Sequence, residues 1–321
     1  MTTNPIPDTM RAIGQDALGG PEVLHEIRLP VPKPGPSEIL VRVRATALNP
    51  TDWAHRARAG LFLPAPPYVL GWDVSGVVAA TGVGVTLFRP GDEVFGMLPY
   101  PHGHGAAAEY VVGPTRAFAR KPRNLDHAQA AAIPLAALTA RQALVDTADL
   151  QAGQRILIHA AAGGVGHFAV QIAKSLGAYV IGTASAANHE FLRGIGADEV
   201  IDYRTVDFAD TVHDVDVVLD AIDIENAIRS IATLRPGGLV VTLRARDDGG
   251  KLREAAERAG KRAETLLVEA DHAGMAALTD LAESGALRPT IAGVYPLSEA
   301  AKAHALGETG RTVGKLVLTV D

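Results

Sequence analysis

Residues 155–185, RILIHAAAGGVGHFAVQIAKSLGAYVIGTAS, constrain the fold more than any other stretch of the chain. Ile156-Leu157-Ile158 is a short uninterrupted apolar run, the pattern of a parallel strand buried on both faces. Gly163, Gly164 and Gly166 follow as a turn. Val165, Phe168, Ala169, Ile172, Ala173 and Leu176 then recur at helical spacing, and Gly177 ends the helix before the run Tyr179-Val180-Ile181. This is strand, glycine turn, helix, strand: a βαβ unit of the kind that carries a dinucleotide pyrophosphate. Glycines let the backbone approach the phosphates, and the free N–H groups and dipole at a helix start favour negative charge. Ala161 replaces the first glycine of G-x-G-x-x-G, so the strand–helix–strand context carries the assignment rather than the glycines alone. The residues assigned to the pyrophosphate are Ala162, Gly163, Gly164, Val165 and Gly166. His159, at the strand end, reads as a packed, hydrogen-bonded residue rather than a catalyst.

The rest of the chain extends this pattern. Six strand candidates centre on Ile156, Val180, Val200, Val217, Val240 and Leu266, with helical segments such as 225–234 and 251–259 between them. Such alternation predicts an α/β domain, a Rossmann-type doubly wound parallel sheet covered on both faces. Upstream, 38–45, 73–80, 91–95 and 107–112 read as closely spaced strands among many Gly and Pro residues, which predicts a compact β-rich, barrel-like domain. Downstream, 271–284 and 298–306 read as helices and 315–320 as a strand that rejoins the N-terminal domain. The expected division is a β-rich domain at 1–125, a dinucleotide domain at 126–285 and a returning segment at 286–321.

Cofactor selection should show just beyond the glycines. In NAD-binding versions an acid about 20 residues on accepts hydrogen bonds from the adenine ribose. Ser185 stands at that point, and no Asp or Glu occurs between Lys174 and His189. A carboxylate there would repel a 2′-phosphate, so its absence favours NADPH. Thr183, Ser185 and Asn188 can donate to that phosphate, and Tyr203 and Arg204 can approach from the next strand end. Phosphate selection usually employs a cation, and none is fixed here, so NADH stays open.

Composition excludes several classes. With a net charge of −6, nothing in the chain's electrostatics favours nucleic acid or an anionic membrane surface as a partner. No apolar run reaches membrane-spanning length and the opening MTTNPIPDT does not read as a signal peptide, so the expected location is cytoplasmic. The chain has no cysteine, which removes disulfides, thiolate zinc ligands and a cysteine nucleophile. His102 and His104 form a His-x-His pair without further spaced ligands and read as a turn. No Gly-x-Ser-x-Gly elbow is present.

Further motifs bear on family. They are Gly19-Gly20-Pro21-Glu22-Val23-Leu24, Ala47-Leu48-Asn49-Pro50-Thr51-Asp52, Gly71-Trp72-Asp73-Val74-Ser75-Gly76, Gly91-Asp92-Glu93-Val94 and Ala137-Leu138-Thr139-Ala140. After the glycine turn come Gly196-Ala197-Asp198, Pro236-Gly237-Gly238 and Gly314-Lys315-Leu316-Val317. In this order they resemble the medium-chain dehydrogenase/reductase superfamily, in its zinc-less quinone-oxidoreductase-like branch, over nearly the entire chain. The resemblance implies a GroES-like N-terminal domain, a Rossmann domain, a substrate cleft between them, and a homodimer. It adds Thr139 and Lys315 to the expected cofactor contacts. Zinc members place a ligand cysteine where Asn49 stands, a histidine–glutamate pair at Trp72-Asp73, and a third ligand near Leu135, so the resemblance implies no catalytic zinc.

Without a Lewis acid, interconverting alcohol and ketone lacks the group that stabilises an alkoxide. Hydride addition to a quinone or α,β-unsaturated carbonyl instead delocalises charge onto an oxygen that one or two hydrogen-bond donors can stabilise. The expected activity is therefore NADPH-dependent reduction of such an acceptor. Candidate donors are Asn49, Tyr100 and His55, with Asn49 alternatively ordering the nicotinamide ribose and Asp52 acting as a structural partner. The tyrosine that related enzymes carry after Asn-x-x-Asp is absent: Trp53, Ala54 and later Phe62 stand there. Two other readings remain: enoyl-thioester reduction, for which Arg56 and Arg58 are basic but form no cluster suited to a carrier phosphate, and an NADPH-binding protein with little turnover.

Overall fold

The computed structural model describes residues 5–58, 66–102, 105–244 and 249–320; Phe62 and His104 lie outside the described residues. The chain divides into two compact units, Met1–Ala136 with Glu269–Asp321, and Ala137–Val268.

The first unit opens with strands β1 (Thr9–Gln15), β2 (His25–Pro30) and β3 (Glu38–Ala47), then helix α1 (Pro50–Ala57). Strands β4 (Tyr68–Val69), β5 (Asp73–Thr81), β6 (Glu93–Met97), β7 (Tyr110–Pro114) and β8 (Phe118–Arg120) follow, with helix α2 (His127–Ala131), and helix α3 (Pro134–Arg141) carries the chain into the second unit. The strands expected from 38, 73 and 91 form as β3, β5 and β6, and that expected at 107–112 begins later, as β7. β3 pairs with both β5 and β7, and its register with β5 shifts at Leu40/Val41 and Val43/Ala45. Such bulges bend a sheet toward closure, which suits a compact GroES-like domain.

The second unit alternates strand and helix: β9 (Arg155–Ile158), α4 (Gly166–Ser175), β10 (Tyr179–Ala184), α5 (His189–Gly194), β11 (Glu199–Asp202) and α6 (Phe208–Thr211). It continues with β12 (Val215–Asp220), α7 (Ile224–Ser230), β13 (Leu234–Thr242), α8 (Lys251–Arg258) and β14 (Arg262–Thr265). The strands pair in parallel in the order β11-β10-β9-β12-β13-β14. Counted within the unit this is 3-2-1-4-5-6, the doubly wound Rossmann order. Ile156, Leu157 and Ile158 are all fully buried, as a strand covered on both faces requires. Two expected bounds move. Leu234 opens β13 instead of closing a helix, and the last strand ends at Thr265, one residue before Leu266.

The chain then returns to the first unit through α9 (His272–Glu283), β15 (Ile291–Pro296), α10 (Ala300–Glu308) and β16 (Lys315–Thr319). β16 pairs antiparallel with β3 and parallel with β15, so the last strand does rejoin the N-terminal sheet. α9 also belongs here. His272 Nδ1 donates to Phe118 O at 2.6 Å, Thr279 to Arg120 O at 3.0 Å, and Asn124 to Ala282 O at 2.8 Å. The observed division therefore falls after residue 136 and before 269, rather than after 125 and 285. No helix among the described residues is long and apolar enough to cross a membrane.

Candidate functional site

In the second unit the glycine turn grows directly out of β9. His159 N extends the pairing to Leu219 O at 3.0 Å, and the chain reverses at Ala160, held at φ +49°. Gly163 N then closes on Ala160 O at 2.9 Å and Ala161 N on Thr183 O at 3.1 Å. A Cβ at Gly166 would overlap Ala160 O and lie 2.7 Å from Ala161 Cα, so only glycine lets α4 start this close to the strand. At Gly163 the same carbon would sit 3.2 Å from Ala160 O, a far looser fit inside the fold. Ala161, in place of the first glycine, faces Gly182 on β10, where a side chain would begin 3.0 Å from the Ala161 methyl. The neighbouring strand thus makes room for the alanine. Ala162, Gly163, Gly164 and Val165 lead into the first turn of α4, where His167 N closes back on Gly163 O at 3.1 Å and the helix presents the positive end of its dipole. This cradle fits a dinucleotide pyrophosphate.

His159 holds the base of the cradle together. Ser230 Oγ donates to Asn226 O at 2.7 Å and so accepts from His159 Nε2 at 2.9 Å; Nδ1 then accepts from the Thr183 hydroxyl at 3.1 Å. Burial, helped by the charge of Arg229, pushes the imidazole down to about 4, so it is neutral across the physiological range. Thr183 was expected at the cofactor. Its hydroxyl is instead buried and committed to His159, because β10 turns that side chain inward.

Ser185 and Asn188 do lie together on the turn after β10, with Asn188 Nδ2 3.5 Å from Ser185 Oγ. Tyr203 is exposed beside it on β11's end, and the Arg204 guanidinium lies 5.8 Å from its ring centre. A carboxylate unforeseen from the sequence stands here as well. Asp202 pairs in register with Ala184, and its oxygens accept from Ala186 N at 3.2 Å and Arg204 N at 3.0 Å. His189, opening α5, keeps Nε2 buried without a hydrogen-bond partner. Thr139 is buried on α3.

The first unit holds a second, wholly buried polar group. Asn49 caps α1, and Asp52 Oδ2 accepts from Asn49 N at 2.7 Å. Burial pushes the Asp52 carboxyl up to about 7 against the pull of that N–H; the charge of Asp73 adds to the rise and the Lys315 ammonium opposes it. Asn49 Nδ2 donates to Asp73 Oδ2 at 2.8 Å and to Ala47 O at 3.4 Å. Lys315 Nζ donates to Asn49 Oδ1 at 2.5 Å, Leu48 O at 2.9 Å and Asp73 Oδ2 at 3.3 Å. Asp73 Oδ1 accepts from Leu135 N at 2.6 Å. Both ends of the Asn49 amide are therefore spent, and at 2% exposure it has no donor left for a substrate oxygen. Lys315, expected at the cofactor, uses all three ammonium protons inside this group.

The positions that match the metal ligands of zinc members are Asn49, Trp72-Asp73 and Leu135. Trp72 and Leu135 are aromatic and apolar, and the one carboxylate, Asp73, is engaged by Asn49 Nδ2, Leu135 N and the Lys315 ammonium. Among the described residues no three His, Asp or Glu side chains gather as metal ligands. These residues do not fit zinc.

Tyr100 belongs to a neighbouring cluster. Thr51 Oγ1 lies 3.1 Å from Tyr100 OH and 3.0 Å from His55 Nδ1, and Nδ1 donates to Thr51 O at 2.8 Å. The Trp72 ring packs 5.5 Å from Tyr100 and 5.3 Å from His55. In the sequence Thr51 stands only as part of the Ala47–Asp52 motif; its i, i+4 spacing to His55 is the signal of this contact once Pro50–Ala57 is helical. Arg56 is buried too, bonded to Glu308 at 2.6 Å and His304 Nδ1 at 3.1 Å, so it joins α1 to α10 and is not available to an incoming phosphate.

Comparison with known proteins agrees with this geometry. A family model described as alcohol dehydrogenase GroES-like domain matches residues 35–123, and one described as zinc-binding dehydrogenase matches 195–318. The chain is 41% identical to a chloroplast envelope quinone oxidoreductase homolog of Arabidopsis thaliana over 61% of its own length, spanning 62% of that protein. It is 35% identical to an NADPH-dependent alkenal/one oxidoreductase of the same plant over 98% of this chain and 80% of that one. The solved quinone oxidoreductase of Coxiella burnetii superposes with a TM-score of 0.91, at 37% identity, covering 98% of this chain and all of that one. With the doubly wound sheet, the GroES-like unit and a metal position closed by asparagine, tryptophan and lysine, the chain belongs to the zinc-less, quinone-oxidoreductase-like branch of the medium-chain dehydrogenase/reductase superfamily.

Proposed function

We propose that this chain is a zinc-independent oxidoreductase that uses NADPH to reduce a quinone or an α,β-unsaturated carbonyl compound, in the cytoplasm. One observation carries the reading: a glycine turn that fits a pyrophosphate, with Ala161 in place of its first glycine, occurs in a chain whose metal-ligand positions hold Asn49, Trp72 and Leu135, with the Lys315 ammonium bonded to Asn49. The names of the relatives point the same way, to quinones and to alkenals and enones. When bound, NADPH supplies a hydride. The protein's own task is then to meet negative charge on the acceptor's oxygen, which a conjugated acceptor spreads widely enough for one or two donors to suffice. Tyr100 is the proposed donor. Its phenol holds a proton at Oη, steadied by Thr51 and walled by Trp72 and His55. Asn49 keeps a positioning role, since its bonds to Asp73 and Lys315 fix the start of the helix that carries Thr51 and His55. Ser185, Asn188, Tyr203 and Arg204 are the proposed 2′-phosphate contacts.

The test is oxidation of NADPH, followed at 340 nm, against a panel of quinones, enones and enoyl thioesters. Turnover of a quinone or enone without added metal is the expected result. Tight NADPH binding with no turnover on any of them would refute it, as would stoichiometric zinc in the purified protein.

A further inference from the structure

The sequence places no acid on the turn that follows β10, yet the fold puts one there. Asp202 ends β11, the parallel neighbour of β10, and sits in register with Ala184. Its two oxygens are pinned by backbone N–H groups on either side, Ala186 at 3.2 Å and Arg204 at 3.0 Å, so the carboxylate is held against the turn that carries Ser185 and Asn188. In a βαβ cradle this is where the adenine ribose hydroxyls lie. A carboxylate offers about four acceptor positions, of which two are used here, so it can still accept from a ribose hydroxyl. Two residues on, Arg204 is exposed and forms no ion pair among the described residues, its guanidinium resting over Tyr203. The other charges of this region are engaged or set apart. Asp198 and Lys174 pair with each other at the opposite end of β10, Asp207 pairs with Arg229, and Glu190 and Arg193 belong to α5.

We infer that Asp202 is the residue through which this chain discriminates between phosphorylated and unphosphorylated nicotinamide dinucleotides: it opposes the 2′-phosphate that Arg204 attracts, so both NADPH and NADH bind. The inference rests on the dinucleotide reading above. An acid next to a phosphate dianion costs affinity, whereas the same acid beside two free hydroxyls contributes acceptors. A cation two residues away offsets the first effect and leaves the second untouched.

Dissociation constants for NADPH and NADH, from quenching of intrinsic fluorescence or from calorimetry, test this without any need for turnover. Wild-type protein should bind the two within about tenfold of each other. Asp202→Asn should shift the ratio toward NADPH by about tenfold, the worth of one charge contact of ~1.4 kcal/mol. Arg204→Gln, at an exposed position that leaves the turn intact, should shift it toward NADH by a similar factor. Both coenzymes binding with a ratio unmoved by either variant would overturn this inference alone. Binding of neither would overturn the dinucleotide reading and the inference with it.

Discussion

Replacing Asp52 with asparagine should stabilise the protein at pH 8 and change it little at pH 4. Asp52 is fully buried, with Oδ2 accepting from Asn49 N. Asparagine keeps the carbonyl acceptor for the helix cap and has no charge to desolvate. The sign follows from the carboxyl's rise from 3.8 to about 7 on folding. Between those values the folded protein holds a proton that the unfolded chain has released, so wild-type stability falls as pH rises through this window and levels off above it. Each pH unit is worth ~1.4 kcal/mol, and the window spans about three, so the advantage of the variant should grow by about 4 kcal/mol from pH 4 to pH 8. With a urea slope of ~3 kcal/mol/M, the gap between the two midpoints should widen by more than 1 M. Urea titrations of both proteins at pH 4, 5, 6, 7 and 8 measure this. A difference that does not vary with pH, or a variant weaker than wild type at pH 8, would refute the reasoning.

Two further outcomes are expected. Gly163→Ala should change the melting temperature by only a degree or two yet raise the NADPH dissociation constant at least tenfold, whereas Gly166→Ala should cost ~1–3 kcal/mol of stability because its methyl meets the backbone of Ala160 and Ala161. Equal melting temperatures for the two variants would contradict the packing argument. His159→Leu should cost ~1–3 kcal/mol at pH 7 through the stranded hydroxyls of Thr183 and Ser230. The balance should move by ~3 kcal/mol toward the variant by pH 4, enough to erase or reverse the deficit, because the buried wild-type imidazole titrates near 4 while the unfolded one already takes its proton below 6.5; denaturation at the two pH values decides it.

What could be read locally was written in periodicity. The strand–turn–helix–strand of residues 155–185, the alternation that builds the doubly wound sheet, the β-rich first unit and the returning last strand all rest on spacing within a few residues. Local patterning failed at α1, whose sequence PTDWAHRA carries no apolar stripe and is helical because Asn49 and Asp52 cap it and Arg56 anchors it to α10. It failed again at Thr183, whose inward face depends on which side of β10 His159 occupies. The absence of cysteine ruled out thiolate chemistry without any fold. What fills the metal position was a tertiary matter: Lys315 reaches Asn49 across 266 residues of chain, and both side chains then turn from ligand contacts into buried partners. Asp202 reaches the turn after β10 only because β11 pairs beside it. Short-range backbone geometry is set by neighbours in sequence, whereas the partner of a charge is set by which distant strand packs next to it.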